Sequence, residues 1–244
     1  MKEKVIAIFD VGKTNKKLLL FDYRLNLVME QETRVAEIVD DDGFECDDIE
    51  KVEKWIRESI LKLVHSEKYE LTAINFATYG ATIVYLDAQG KRIGPVYNYL
   101  RPIDEKIPER LYRRYGGQDE FCRRTASPAL GMLNSGIQIL WLKTEKPEVY
   151  DKVRYILHLP QYLSYLVTGK ICSEHTSIGC HTGLWDFDNM KYHPCLLYTS
   201  DAADDLLCVD LGGCRIIKKK IQQYLSNSHA RSHYKNIYYH YTQS

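Results

Sequence analysis

Val5-Ile6-Ala7-Ile8-Phe9 runs into Asp10-Val11-Gly12-Lys13-Thr14-Asn15-Lys16-Lys17, and Leu18-Leu19-Leu20-Phe21-Asp22 follows at once. Two apolar segments joined by so short a polar link fold back on each other as an antiparallel hairpin. The turn has chemistry as well as shape. Asp10, at a strand end, can hold Mg²⁺ directly or through water. Gly12 lets the backbone approach a ligand closely. Consecutive backbone N–H groups, the Thr14 hydroxyl and Lys16 or Lys17 can then face phosphate oxygens. Side chains alternate along the second strand, so Lys13, Lys16 and Lys17 cannot all converge on one phosphate. The arrangement suits a metal-bound nucleotide phosphate.

Strand signals continue after the hairpin. Leu25 to Glu30 predicts a third strand, reached through the short turn Asp22-Tyr23-Arg24. Asp40 to Gly43 is a loop. A helix follows, with Val52, Trp55, Ile56, Ile60, Leu63 and Val64 on one face and Asp47 or Asp48 available as N-cap. Leu71 to Ala77 and Thr82 to Asp87 are further strands, the latter closed by Ala88 to Lys91. This β-β-β-α-β start mixes antiparallel pairing with a parallel crossover. The second half is mostly helical. Leu133 to Lys143 is apolar on one side, Pro147 opens a short helix, and Leu159 to Thr168 is a helix stopped by Gly169. Trp55 and Trp141 fall on apolar helix faces and belong in the core.

Thirty-three basic residues balance 33 acidic ones, which gives no electrostatic case for nucleic acid or an anionic membrane. No apolar run approaches the roughly 20 residues of a membrane span. Met1 to Lys4 leads straight into a strand, with no signal peptide. Seven cysteines without a C-x-x-C pair fit a reducing cytoplasm. Cys172, His175, Cys180 and His181 lack the paired spacing of a zinc knuckle.

Near Pro194 the sequence changes character. Cys195 to Asp205 resembles the translation of a transposase-type sequencing adapter, and Val209 to Lys220 resembles its second part in the same frame. Residues 195–220 are therefore expected to be an adapter-like artefact. Residues 221–244, rich in His, Tyr, Ser and Asn without periodicity, are expected to be read-through and disordered. The expected domain is 1–194, cut at its C-terminal side.

Within 1–194 a series of segments resembles the FGGY carbohydrate kinases of the actin/hexokinase/Hsp70 superfamily. The family's Asp-x-Gly-Thr-x-(Ser/Asn)-x-(Arg/Lys) hairpin is matched by Asp10 to Lys17. Phe76-Ala77-Thr78-Tyr79-Gly80-Ala81, followed by Val84 to Gly90, resembles its sugar-contacting turn and the strand after it. Pro95 to Arg101 is similar to its Trp-x-Asp-x-Arg segment. Ile139 to Lys143 with Pro147-Glu148, then Tyr162 to Gly169 and Gly183 to Asp186, complete the order. Two departures stand out: Tyr97-Asn98 lacks the family's acid, and Thr78-Tyr79-Gly80 replaces the common Gln-containing sugar turn.

The resemblance implies an α/β, ribonuclease-H-like mixed β-sheet flanked by helices. It implies an ATP- and Mg²⁺-dependent kinase acting on a ketose, deoxysugar or polyol, with a homodimer open for the full-length enzyme. It implies Asp10, Gly12, Thr14, Asn15 and Lys17 on the cofactor side, Asp10 being the metal ligand. Thr78, Tyr79, Gly80, Asn98 and Arg101 are implied on the sugar side. The family's catalytic-base Asp lies beyond residue 194, so none is nominated, and the chain as written is expected to be inactive. Two other classes stay open on the residues alone: another ATPase of the superfamily, and a non-catalytic binding module.

Overall fold

The computed structural model describes residues 1–195. The expectations for 196–244 lie outside the described residues. The chain begins with strands β1 (Glu3–Val11), β2 (Asn15–Phe21) and β3 (Leu27–Arg34), and two short strands, β4 (Ile38–Val39) and β5 (Glu45–Cys46). Helix α1 (Ile49–Val64) leads to β6 (Tyr69–Thr78) and β7 (Ile83–Leu86). Helices α2 (Lys106–Arg114), α3 (Gln118–Thr125), α4 (Ser135–Glu145) and α5 (Pro147–Tyr150) come next, then β8 (Tyr155–His158) and α6 (Leu159–Thr168).

The main sheet has the order β3-β2-β1-β6. β1 pairs antiparallel with β2 and parallel with β6, the crossover being made by α1. One face of β1, Val5, Ala7, Phe9 and Val11, is buried. Against it α1 lays Val52, Ile56, Ile60 and Leu63, residues spaced three or four apart. The Phe9 ring meets Trp55 edge-on at 5.3 Å and stacks on Phe76 at 5.5 Å, a compact aromatic centre for this core. Asp48 caps α1 by accepting from Lys51 N at 3.1 Å, which leaves Asp47 free for other work.

β7 does not join the main sheet. It pairs antiparallel with β8, from Ile83 opposite His158 to Leu86 opposite Tyr155. All four β7 residues are buried because the strand lies between two cores. Val84 and Leu86 face the α1 side, while Ile83 and Tyr85 face a second core with Tyr97, Leu111, Phe121, Ile137 and Trp141. Strand alternation divides one four-residue segment between two packing layers.

Three expectations needed correction. The third strand starts at Leu27, because Leu25 sits at φ 65° in a turn. That turn is built on the Asp22 carboxylate, which accepts from Arg24 N and Asn26 N, each at 2.8 Å. The helix expected at 133–143 runs instead from Ser135 to Glu145. Strand β8 and helices α2 and α3 were not anticipated. The α6 helix stops as expected at Gly169, in the left-handed conformation at φ 64°.

Candidate functional site

The hairpin and the Thr78-Tyr79-Gly80 turn lie side by side because β1 and β6 are neighbouring parallel strands. Asp10 is level with Ala77, and Val11 with Thr78. Both strands therefore deliver their following turns to the same end of the sheet, the carboxyl end, where open α/β folds place ligands.

The hairpin turn is closed by Gly12 N donating to Asn15 O at 3.0 Å. A Cβ on Gly12 would lie 2.9 Å from that same oxygen, so a side chain at this position would break the closure. Thr14 is exposed at the tip. Asp10 and Lys17 are cross-strand partners and share the less buried face of the sheet. Lys16 turns to the opposite face and is 1% exposed.

The three lysines have separate partners. Lys17 Nζ is held by Glu30 at 2.7 Å and Glu32 at 3.8 Å on β3; the hydrogen bond and charge of Glu30 raise its pKa. Lys16 Nζ donates to Lys13 O at 2.9 Å and lies 3.6 Å from Asp47 Oδ1. Lys13 Nζ is 3.0 Å from Asp47 Oδ2 and 2.9 Å from Glu37. Burial alone would lower the Lys13 pKa, but Glu37 and Asp47 outweigh it and hold the ammonium charged.

Asp47 also ties in the turn after β6. Tyr79 OH donates to Asp47 Oδ2 at 2.8 Å, and Lys13 Nζ sits 5.9 Å from the Tyr79 ring centre. Burial, then the Asp47 carboxylate, pushes the Tyr79 phenol far above its ordinary range, so it remains a donor. One buried carboxylate thus joins the hairpin to the turn after β6. Sequence reading considered Asp47 only as a helix cap. Its partners lie 32 and 34 residues away, a separation no local pattern reveals.

The remaining sugar-side candidates are placed as follows. Thr78 Oγ1 donates to Tyr79 O at 3.0 Å. An added Cβ at Gly80 would meet nothing within 4 Å, so that position is open. Asn98 uses its amide within the chain, Nδ2 donating to Glu45 O and Oδ1 accepting from Leu100 N, both at 3.0 Å. Arg101 is buried, paired with Asp40 at 3.1 Å and Asp42 at 2.6 Å, and lies 4.1 Å over the Trp141 ring. Its partners belong to the 40–44 loop, Tyr97 and α4 rather than to the hairpin. Lys146 Nζ completes that loop through Asp41 and Asp42, each at 2.8 Å.

The turn after β6 is anchored from behind. Gln138 Nε2 donates to Ala81 O at 2.8 Å and to Met132 O at 2.7 Å. Ser135 Oγ donates to Ala81 O at 3.2 Å and is 2.9 Å from His158 Nε2. Leu159 N donates to Thr82 O at 3.0 Å.

A strand-end carboxylate beside a tight glycine turn thus lies level with a second turn of hydroxyl and phenol groups at one end of a mixed sheet. The sequence profile of the FGGY family of carbohydrate kinases, N-terminal domain, matches residues 5–226, and the chain belongs to that family. Rhamnulokinase of Yersinia pestis (strain Pestoides F) is 30% identical over 198 residues, covering 77% of this chain and 40% of the relative. A carbohydrate kinase from Novosphingobium aromaticivorans superposes with a TM-score of 0.67 at 26% identity, over 79% of this chain and 40% of that one. A gluconate kinase from Lactobacillus acidophilus shares the fold, with a TM-score of 0.74 at 19% identity over 92% of this chain and 46% of that one. The chain spans about 40% of the length of the curated relatives it matches. Among the described residues no helix is long and apolar enough to cross a membrane.

Proposed function

We propose that this chain is the N-terminal half of an ATP-dependent sugar kinase, whose full-length form phosphorylates a hydroxyl of a ketose, deoxysugar or polyol. The observation that carries the reading is the register of β1 against β6. It sets the phosphate-type hairpin and the hydroxyl-bearing turn at one end of the sheet.

The donor set fits a magnesium nucleotide. Asp10 offers a hard carboxylate oxygen, and the Gly12 turn is too tight for any side chain. Mg-ATP supplies the transferable phosphoryl group when bound. Asp10 would hold the cation, while the backbone around Gly12 and Asn15, the Thr14 hydroxyl and Lys17 would steady phosphate oxygens. Lys17 would exchange Glu30 and Glu32 for those oxygens. On the sugar side, the Thr78 to Gly80 turn and the Asn98 and Arg101 segment would shape the pocket. Closure of a second domain over the substrates would exclude water. A cytoplasmic location and a homodimer belong to the same reading.

The test is a panel of neutral ketoses and polyols offered with Mg-ATP to the full-length protein. Phosphorylation of at least one supports the reading, and no transfer to any refutes it. The 244-residue chain, which spans about 40% of the length of the relatives it matches, should alone transfer no isotope from ATP to any sugar.

A further inference from the structure

The cations of the hairpin and those beside the 40–44 loop are already neutralised. Lys13 is bound by Glu37 and Asp47, and Lys16 shares Asp47. Arg101 is bound by Asp40 and Asp42, and Lys146 by Asp41 and Asp42. Where the family's hairpin carries a threonine, this chain places a lysine, Lys13, and a buried carboxylate directly on it. The Lys13 side chain is 27% exposed and that of Asp47 only 7%, so Lys13 is the more open member of the pair and the charge that compensates it is buried. Tyr79 donates to the same Asp47 oxygen, which ties the pair to the turn that would face the sugar.

Resting on the kinase reading above, we propose that Asp47 is a specificity-determining residue: by holding Lys13 it makes the site select neutral sugars over sugar acids. A polyhydroxylated neutral ligand can accept from Lys13 and donate to Glu37 without displacing either. An aldonate needs an uncompensated cation. To obtain one here it would have to pull Lys13 away from two carboxylates while lying beside them. A buried Asp47 cannot swing away, and its charge opposes the incoming carboxylate. Asp47 acts through Lys13 and Tyr79, and the bond chemistry at the sugar hydroxyl does not involve it.

The experiment measures kcat/KM of the full-length enzyme for neutral sugars (L-rhamnulose, D-xylulose) and for aldonates (D-gluconate, D-xylonate). Calorimetric Kd values for the same compounds read binding without turnover. The wild type should favour its best neutral sugar over its best aldonate by about a hundredfold or more, the scale of an uncompensated like-charge contact. Asp47→Asn should cut that ratio by about tenfold, because one compensating charge is gone. Should Asp47→Asn fold poorly, Glu37→Gln, at an exposed position, should cut it by about threefold. Lys13→Met should not cut it at all. A wild type that prefers an aldonate overturns the inference while leaving the kinase reading intact. So does a ratio that stays within about twofold in both Asp47→Asn and Glu37→Gln. A wild type that phosphorylates no sugar removes the kinase reading itself.

Discussion

Gln138 offers the sharpest test of how the turn after β6 is held. It is 2% exposed, and its single amide nitrogen donates both hydrogens, to Ala81 O and to Met132 O. Gln138→Met keeps the volume and the flexible stem, so the cavity contribution is small. What is lost is hydrogen bonding to two buried carbonyls. Met132 O, left without this donor, accounts for about 1–3 kcal/mol. Ala81 O retains Ser135 Oγ at 3.2 Å and adds about 0.5–1 kcal/mol. The expected loss is about 1.5–4 kcal/mol, and with a urea m-value of about 2 kcal/mol per molar the midpoint should fall by about 0.75–2 M. Urea unfolding of the 244-residue chain followed by tryptophan fluorescence is the assay, since Trp141 lies on the same helix and is 4% exposed. In the full-length enzyme the same substitution should raise KM for the sugar and leave KM for ATP unchanged. A midpoint shift below about 0.3 M, under 1 kcal/mol, would refute the claim that these two bonds hold the turn.

Two further outcomes follow from the cores and the buried histidine. Phe9→Ala removes a fully buried ring from between Trp55 and Phe76 and should cost about 3–5 kcal/mol in urea unfolding, whereas a loss below about 1.5 kcal/mol would mean that the aromatic centre is loosely packed. Burial lowers the His158 pKa to about 4 from 6.5; a depressed folded-state pKa contributes stability that is present above the unfolded value and lost as pH falls towards the folded one. The wild type should therefore lose stability between pH 6.5 and 4, at up to about 1.4 kcal/mol per pH unit from this group, and in His158→Gln the slope should flatten.

The parts of the fold that could be read from sequence are those with a strong period. The hairpin announced itself through two apolar segments around Gly12, and α1 through Val52, Ile56, Ile60 and Leu63. Helices α2 and α3 were hidden because most of their residues are polar and face water, with only Ile107, Pro108, Leu111 and Tyr112 of α2 and Phe121 and Thr125 of α3 buried. β8 is four residues long, too short for alternation to register, and only its pairing with β7 makes it a strand. In the site, alternation separated Lys16 from Lys17 correctly. It could not say that Lys17 would meet Glu30 and Glu32, because the third strand, expected over Leu25 to Glu30, both starts and ends later, at Leu27 and Arg34, and its register against β2 was not legible. Asp47 stayed hidden because it looked like one of two interchangeable caps. The structure gives the cap to Asp48 and frees Asp47 to meet Lys13, Lys16 and Tyr79.

The central claim is that the Asp10 hairpin is the phosphate-handling wall of a sugar kinase. The most direct measurement is transfer of labelled γ-phosphate from ATP to the preferred sugar by the full-length enzyme, wild type against Asp10→Ala, with folding of both checked by unfolding midpoint. The account predicts that Asp10→Ala folds normally and loses activity by about a thousandfold or more, as expected when a positioned charge at a transferring phosphoryl group is removed. An Asp10→Ala enzyme that retains activity within about tenfold of wild type would contradict it.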